Sequence, residues 1–320
     1  MKRVAGTAMA TAMAGVLWLA PVFGQGGAPA QPPATNTVAT AIPGVVAGGT
    51  TVQFIKEGFQ GAEGPVGLPD GSVIFTATGG KQIMRIDQKD QVTTYLNFAS
   101  SGLGFDPKGR LIATSREEGK DGVVVLSAKG VEAVLADRTT DPGLSFVNDL
   151  VVDRKGGVYY TDPNNARVTY ITPGGKIVRV AEGITRTNGL ILSPDDRVLY
   201  VNDSRGEFMV AYDVQADGTL RNRRNFGKYD QTQPEKEGPY KLRSGADGMT
   251  VDSEGRVYNT EFGGVFVYSP AGTVLGKIPV SRRPQNVAFA GPDKKTLYIV
   301  GSGAAWKVRL LAQGLRDRAK

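Results

Sequence analysis

The chain has 320 residues, 40% hydrophobic and 22% charged, which is an ordinary globular composition with enough length to bury a core. It contains no cysteine and no histidine, and this excludes disulfides, thiolate zinc sites, cysteine nucleophiles and Ser-His-Asp triads. Any catalytic proton must therefore be carried by Asp, Glu, Lys, Tyr or water. Any metal must be held by oxygen ligands. The formal charge of +7 is spread along the chain without interleaved aromatic residues, so no nucleic-acid partner is expected.

Residues 1–24 have the pattern of a secretory signal peptide. Lys2 and Arg3 supply the positive start, and an apolar stretch follows from residue 4 to residue 23. Cleavage before Gln25 would give a periplasmic or secreted protein; the alternative is an uncleaved segment that tethers the protein to a membrane. Residues 25–49 are rich in Gly, Pro, Ala and Thr and carry no charge. They are predicted to be a flexible linker.

From residue 50 to residue 310, short strand-like runs alternate with Gly-rich and Asp-rich turns. Six repeats of one short pattern each reach a turn residue eight positions after their first residue: Gly71, Gly109, Gly156, Asp196, Gly255 and Lys294. A period near 40 residues with several short strands predicts an all-β fold, a six-bladed β-propeller with a central metal channel. Residues 51–55 are expected to join the last blade and close the ring, and residues 311–320 to form a C-terminal tail.

The longest interval between turns, 59 residues, runs from Asp196 to Gly255. The extra length falls at residues 228–244, which are rich in Lys, Glu, Gln and Pro. Two readings stay open for this insertion: a lid over the central opening, or a plain surface loop.

The first residue of every repeat is polar: Glu63, Ser101, Asn148, Asn188, Asp247 and Asn286. The first strand of each propeller blade lines the central channel, so these side chains should converge on the axis. Glu63, Asn148, Asn188 and Asp247 offer two carboxylates and two amide oxygens, which suit one divalent cation: Ca²⁺ first, with Mg²⁺, Mn²⁺ or Zn²⁺ as alternatives. Ser101 and Asn286 are predicted to line the channel. The competing explanation is that Asn, Asp and Ser favour strand starts beside Gly because they bond to nearby backbone.

Four of these motifs resemble those of the SMP-30/gluconolactonase family, which includes regucalcin and is related to squid-type diisopropylfluorophosphatase and bacterial lactonases. The motifs are Glu63-Gly-Pro, Asn148-Asp-Leu with Tyr160-Thr-Asp-Pro163, Asn188-Gly-Leu-Ile-Leu-Ser-Pro-Asp195 and Asp247-Gly-Met-Thr-Val-Asp252. The resemblance covers residues 55–305. It implies a six-bladed propeller whose divalent ion, commonly Ca²⁺, is ligated by Glu63, Asn188 and Asp247. It also implies that Asn148 binds metal or substrate, and that Asp247 accepts a proton or acts as nucleophile.

Two positions depart from the pattern of that family. Phe146 stands where regucalcin-like members carry an arginine, and Thr187 stands where gluconolactonase-like members often carry a histidine. Arg186 is a candidate for binding an anionic or polyhydroxylated group instead, and Asp149 is a second candidate base or substrate contact. Asp162, Asp203 and Glu261 are predicted to be turn and inter-blade hydrogen-bonding residues.

The expected function is therefore that of an exported metal-dependent hydrolase. Its most concrete form is a lactonase that opens a sugar or other small lactone by attack of water on a metal-polarised carbonyl, with Asp247 and Asn148 as the catalytic residues. Two alternatives remain: a phosphotriester hydrolase that uses the same metal site, and a non-catalytic propeller that binds a ligand or a protein. The sequence leaves the oligomeric state open.

Overall fold

The computed structural model of the protein describes Met1 and residues 31–117, 119–235 and 239–318. Across these residues the chain forms 27 β-strands and two single-turn 3₁₀ helices, at Thr78–Gly80 and Pro163–Asn165. Apart from Met1, the predicted signal peptide lies outside the described residues. No helix in this part of the chain is long and apolar enough to cross a membrane.

Six antiparallel sheets follow one another along the chain as the blades of a propeller. Two strands precede them: β1 (Thr37–Val38) and β2 (Thr51–Glu57). Blade 1 contains β3 (Glu63–Gly67), β4 (Val73–Ala77), β5 (Gln82–Ile86) and β6 (Val92–Asn97). Blade 2 contains β7 (Leu103–Phe105), β8 (Leu111–Ser115), β9 (Gly122–Ser127) and β10 (Gly130–Asp137). Blade 3 contains β11 (Leu150–Val152), β12 (Val158–Asp162), β13 (Arg167–Ile171) and β14 (Ile177–Ala181).

Blade 4 contains β15 (Thr187–Leu192), β16 (Val198–Asp203), β17 (Phe208–Val214) and β18 (Leu220–Lys228). A short hairpin follows, made of β19 (Gln233–Pro234) and β20 (Leu242–Arg243). Blade 5 contains β21 (Met249–Val251), β22 (Val257–Glu261), β23 (Gly264–Tyr268) and β24 (Val274–Pro279). Blade 6 contains β25 (Asn286–Ala290), β26 (Thr296–Gly301) and β27 (Ala304–Arg309), and it is completed by β2 and β1. The predicted six-bladed propeller is confirmed.

The hydrophobic core lies between the blades. The second strands β4, β8, β12 and β22 are buried along their whole length, because each blade is covered on both faces by its neighbours. One aromatic contact across such a boundary joins Tyr258 of blade 5 to Phe289 of blade 6, edge to face, with ring centroids 5.1 Å apart. The outermost strands β6 and β10 are largely exposed. This packing stacks the inner strands around one axis.

All six turn residues identified from the repeat have a positive φ angle, between 54° and 87°. Four are glycines, for which this conformation carries no side-chain penalty. The other two are Asp196, with φ of 59°, and Lys294, with φ of 54°. The turn position that the sequence repeat identifies therefore has the same backbone conformation in all six blades.

The two ends of the propeller are joined in blade 6. Strand β2 pairs antiparallel with β27, so that Val52 lies opposite Val308 and Phe54 opposite Trp306. The prediction that residues 51–55 close the ring is confirmed. Because the closing strand comes from the N-terminal side, the ring closes through a contact between distant parts of the chain.

The segment before β2 differs from the flexible linker predicted over residues 25–49. In the part that the structure describes, β1 pairs with β2, and Ile42 and Val46 form a β-bridge. Ala39, Ile42, Val45 and Val46 are all buried and pack in one cluster with residues of blades 5 and 6. Residues 32–49 thus belong to the same compact unit as the blades. The compositional pattern missed them because a two-residue strand carries no periodic signal.

The insertion at residues 228–244 contains the β19–β20 hairpin. Its described part is bonded to blade 4: the backbone N–H of Ser244 donates to the carbonyl of Ser204 at 3.2 Å, and Arg205 forms an ion pair with Glu235 at 3.1 Å. The insertion therefore lies at the same end of the propeller as Asp247. Whether it covers the opening stays a prediction.

Candidate functional site

The first residues of the repeats lie at the start of the inner strands, where neighbouring blades come closest together. An added Cβ at Gly189, the residue after Asn188, would lie 2.2 Å from the carbonyl oxygen of Asp247 in the next blade. At Gly248, the residue after Asp247, it would lie 2.0 Å from the side chain of Asn286. Gly64 and Gly102 meet the next blade in the same way. In these four of the six repeats, the glycine that follows the polar residue is therefore a requirement of close packing at the axis.

Three carboxylates share this region. Burial raises the pKa of Glu63 well above its ordinary value, and the charges of Asp247 and Asp149 raise it further. Burial also raises the pKa of Asp247 to about 6; Asp149 adds to this rise, while Arg283 and a hydrogen bond from Asn188 oppose it. Carboxylates that raise one another's pKa in this way must lie close together. The structure thus brings together the predicted residues Glu63, Asn188, Asp247 and Asp149.

Both oxygens of Glu63 accept hydrogen bonds from blade 6. Gln285 Nε2 donates to Glu63 Oε1 at 2.7 Å, and Asn286 Nδ2 donates to Glu63 Oε2 at 3.3 Å. Gln285 is held in turn by the backbone N–H of Ser302, which donates to its Oε1 at 2.7 Å. Asn286 was predicted only to line the channel, and Gln285 was not singled out. The carboxylate of Glu63 therefore has a fixed orientation.

Arg283 is a further residue that the sequence reading missed. Its Nη2 forms an ion pair with Asp247 Oδ2 at 3.1 Å and donates to the carbonyl of Gly245 at 3.3 Å. It reaches Asp247 from the loop before β25, across a blade boundary. A contact of this kind is set by loop geometry and has no counterpart in the repeat pattern.

Asn188 contributes an amide oxygen that lacks a partner. Its side chain donates to Asp247, whereas its Oδ1 is buried and accepts no hydrogen bond from the described part of the protein. A buried acceptor without a donor is costly, and a cation would satisfy it. Among the described residues, no group of three or more His, Cys, Asp or Glu side chains is arranged to hold a metal by itself. The residues present fit an oxygen-liganded divalent cation only if amide oxygens complete the set.

Asn148 and Ser101 lie beside the acids. The backbone N–H of Asn148 donates to the carbonyl of Thr161 at 3.0 Å, and its carbonyl accepts from Ser101 Oγ at 2.6 Å. Ser101 is thereby committed to bonding across the boundary between blades 2 and 3. The side chain of Asn148 is half-buried and lies two residues before β11 begins.

Arg186, the other predicted substrate contact, is turned toward blade 3. Its nearest polar side-chain partner is Asn164 Oδ1, 3.5 Å from Nη1. The loop that carries it is fixed by Asp203, which accepts from the backbone N–H groups of Thr185 and Arg186 at 2.9 and 3.0 Å. Asp162 and Glu261 likewise accept hydrogen bonds from neighbouring loops and strands. These three acids have the structural role predicted for them.

A cavity of about 880 Å³ opens at the other end of the inner strands. Residues near the far ends of β3, β7 and β11 line it, including Gly67, Phe105 and Val152. None of the predicted site residues borders it. The convergence of buried acids and amides, rather than this cavity, marks the chemically distinctive end of the channel.

The family described as SMP-30/gluconolactonase/LRE-like region matches residues 61–303. A gluconolactonase of Zymomonas mobilis is 26% identical over 298 residues, which cover 81% of each chain. A pentonolactonase of Haloferax volcanii is 28% identical over 212 residues, which cover 63% of this chain and 67% of that one.

Two solved structures share the fold. A gluconolactonase from Xanthomonas campestris superimposes with a TM-score of 0.74 at 23% identity and covers 88% of this chain and 98% of its own. The calcium-binding protein regucalcin from Agrobacterium tumefaciens gives 0.68 at 19% identity and covers 83% and 96%. At these identities the structures support the propeller fold. The family match covers more than half of the chain and reaches all six blades, and the chain therefore belongs to the SMP-30/gluconolactonase/LRE-like family.

Proposed function

We propose that the protein is an exported, divalent-cation-dependent lactonase that hydrolyses a sugar lactone or another small lactone. The observation that carries this proposal is the convergence of Glu63, Asp247 and the unpartnered amide oxygen of Asn188 at one end of the channel. The relatives named gluconolactonase and pentonolactonase support the same reaction class. Export rests on the sequence of residues 1–24 alone; N-terminal sequencing of the mature protein, with Gln25 expected as its first residue, checks it.

The cation would be held by Glu63, Asn188 and Asp247, with Asn148 as a fourth ligand or a substrate contact. Ca²⁺ is favoured over Mg²⁺, Mn²⁺ or Zn²⁺ because it accepts carboxylate and amide oxygens in an irregular, partly hydrated shell. When bound, it would polarise the lactone carbonyl and stabilise the negative charge that develops on the carbonyl oxygen. Gln285 and Asn286 hold the Glu63 carboxylate in one orientation through hydrogen bonds to both of its oxygens.

In the proposed mechanism, Asp247 handles the proton of the attacking water. In this role it accepts a proton from the water as the water oxygen bonds to the carbonyl carbon, and it returns that proton to the ring oxygen as the bond between the carbonyl carbon and the ring oxygen breaks. A pKa of about 6 makes Asp247 a better base near neutral pH than an ordinary aspartate, although a neighbouring cation would lower that pKa again. Arg283 holds one oxygen of this carboxylate in an ion pair at 3.1 Å.

The test is a screen of metal-stripped protein against lactones, carboxylic esters and phosphotriesters, with one divalent ion restored at a time. We expect Ca²⁺ to restore hydrolysis of a lactone. We expect Asp247→Asn to reduce kcat/KM by about 10³-fold, within the range for a lost proton acceptor, with an unchanged circular dichroism spectrum. Asp217→Asn, on an exposed turn of blade 4, is the matched control.

Each alternative has its own outcome in this screen. Turnover of phosphotriesters alone would make the protein a phosphotriester hydrolase on the same site. Cation binding without turnover of any substrate would leave a non-catalytic binding propeller. Near-normal lactone turnover by Asp247→Asn would remove Asp247 from the mechanism.

A further inference from the structure

We propose that Arg116, stacked on the ring of Phe146, is the binding site for a negatively charged group of the substrate, so that the enzyme prefers anionic lactones to neutral ones. This inference rests on the proposed lactonase function and extends it to a substrate class. It also adds a residue to the site that no repeat motif contains.

Arg116 lies at the start of the loop after β8, and its backbone N–H donates to the carbonyl of Ala99 at 2.8 Å. Its guanidinium carbon is 4.0 Å from the centroid of the Phe146 ring. Phe146 precedes Asn148 by two residues and belongs to the loop that leads into β11. The stacked pair thus bridges blades 2 and 3 at the end of the channel where the carboxylates converge.

The guanidinium of Arg116 lacks the partners that other buried arginines have. Arg167 pairs with Asp141 and Asp162 at 2.9 and 3.1 Å, and Arg256 pairs with Asp252 at 2.6 Å. Arg116 is partly buried, and within the described ranges only the more distant charges of Asp121 and Glu63 act on its guanidinium, with no hydrogen bond or ion pair to it. Burial lowers its pKa, and the charges of Asp121 and Glu63 act against that change.

Stacking on Phe146 occupies a face of the guanidinium, and none of the described residues accepts a hydrogen bond from its edge. A planar guanidinium held by its face still presents its N–H groups in the plane, where a carboxylate or sulfonate can accept two of them at once. A partly desolvated cation without an acceptor among the described residues is stabilised when an anion completes it. The arrangement is therefore that of a preformed anion site, because the fold already holds the guanidinium in a partly buried position.

The charges around the channel favour the same class of ligand. Glu63, Asp149 and Asp247 contribute three negative charges, and Arg283 contributes one positive charge. One divalent cation would bring this inner set to neutrality, and Arg116 then adds a positive charge beside it. A substrate with one negative charge, placed so that its lactone carbonyl faces the inner set, complements that distribution.

The opposite side of the opening shows why Arg116 is singled out. There Phe262 lies between Arg243 and Arg283, whose guanidinium carbons are 5.6 and 5.7 Å from its centroid. Arg283 is already engaged by Asp247, and Arg243 is exposed and donates to Gln233. Arg116 combines closer stacking and partial burial with donors that meet no acceptor in the described part of the chain.

The test compares two lactones that differ only at one end: an aldonolactone with a terminal CH₂OH group and the corresponding aldarolactone with a carboxylate there. For the wild-type holoenzyme, kcat/KM is expected to be higher for the anionic lactone. In Arg116→Gln, the ratio of anionic to neutral kcat/KM is expected to fall about 10- to 100-fold, as for loss of a hydrogen bond to a charged group. Arg116→Lys, which keeps the charge without the planar fork, should give an intermediate ratio.

Two further variants separate binding from folding. Arg224→Gln removes an arginine that pairs with Asp213 on the outer strands of blade 4, and it should leave the ratio at the wild-type value. Phe146→Leu keeps the charge of Arg116 but removes its platform, and it should lower the ratio by less than Arg116→Gln does. An unchanged ratio in Arg116→Gln, or equal losses on both lactones, would overturn the proposal.

A binding measurement keeps this test independent of turnover. The ring-opened sugar acids with one and two carboxylates are titrated into wild type and Arg116→Gln by calorimetry. A selective loss of affinity for the diacid in the variant supports the anion site even if neither lactone is hydrolysed, in which case only the lactonase proposal fails. Equal affinities of the two proteins for the diacid would reject the anion site.

Discussion

The side chain of Glu63 is held in a position that suits a cation, although its burial lowers the stability of the protein when no metal is bound. Two amides of blade 6 donate to its carboxylate, while burial and the charges of Asp247 and Asp149 raise its pKa. The raised pKa means that the ionised form is disfavoured where it stands. A divalent cation bound here would instead favour the ionised form of Glu63, because the cation attracts all three carboxylates.

Glu63→Gln is therefore predicted to have opposite effects on the stability of the protein with and without metal. In metal-stripped protein the variant should be at least as stable as wild type, since it removes a buried acid that two other acids repel. With Ca²⁺ at 100 times the wild-type Kd, the wild type should gain about 2.7 kcal/mol of unfolding free energy. A variant whose Kd is 100-fold weaker should gain only about 0.4 kcal/mol. Urea denaturation with and without Ca²⁺ measures both gains.

Glu132→Gln, on the exposed outer strand of blade 2, is the control and should behave like wild type in both conditions. Equal calcium-dependent gains in Glu63→Gln and wild type would place the cation elsewhere. A variant that is strongly destabilised without metal would instead give Glu63 a structural role through Gln285 and Asn286.

At the level of single residues, the sequence predicted the site as far as the repeat reaches. Glu63, Asn188 and Asp247 occupy one register position, and strand periodicity brings that position to the axis in every blade. Arg283, Gln285 and Arg116 reach the same region from loops of neighbouring blades. Their contacts depend on the three-dimensional paths of those loops, so no spacing in the sequence indicates them.

At the level of elements, the turns were predictable and the N-terminal segment was not. The six turn residues follow from one eight-residue spacing, and all six adopt a positive φ angle. Residues 32–49, in contrast, read as a linker because they are uncharged and rich in Gly, Pro and Ala. Their burial depends on a complementary surface on blades 5 and 6 that forms only when the ring is complete.

Ile42 tests whether that segment stabilises the propeller. Its side chain is 1% exposed and lies so close to β24 that an added Cβ at Gly276 would be 2.7 Å from it. Ile42→Ala should lower the free energy of unfolding by about 2–4 kcal/mol, the usual cost of truncating a buried aliphatic side chain. Val38→Ala, at a position 59% exposed, should cost less than about 0.5 kcal/mol. Equal midpoints in urea for both variants would mean that residues 32–49 act as the linker first predicted.

At the level of the whole molecule, ring closure makes the six blades one cooperative structure. The pairing of β2 with β27 joins residue 52 to residue 308, and the core is continuous from blade to blade, as in the cluster shared by blades 3, 4 and 5. Opening the ring would expose the faces of two blades at once. The protein is therefore expected to unfold as a unit, and a single buried group can change the stability of the entire propeller.

Glu261 is such a group, and it predicts a pH dependence of global stability. It is fully buried, accepts hydrogen bonds from Asn259, Tyr268 and the backbone of Asp230, and lies at the end of β22. Burial raises its pKa from 4.5 to about 7. Between these values the folded protein binds more protons than the unfolded chain, so the stability that Glu261 contributes below pH 4.5 is lost as the pH rises through 7.

The expected consequence is that Glu261 lowers the free energy of unfolding by about 2 kcal/mol between pH 5 and pH 8. Glu261→Gln cannot titrate, so the difference in stability between wild type and variant should change by that amount over this range. Urea denaturation in EDTA at both pH values measures it, because without metal the titrations of Glu63 and Asp247 contribute equally to both proteins and cancel. A difference that stays constant from pH 5 to pH 8 would mean that Glu261 keeps an ordinary pKa inside the propeller, with its three hydrogen-bond donors compensating for burial.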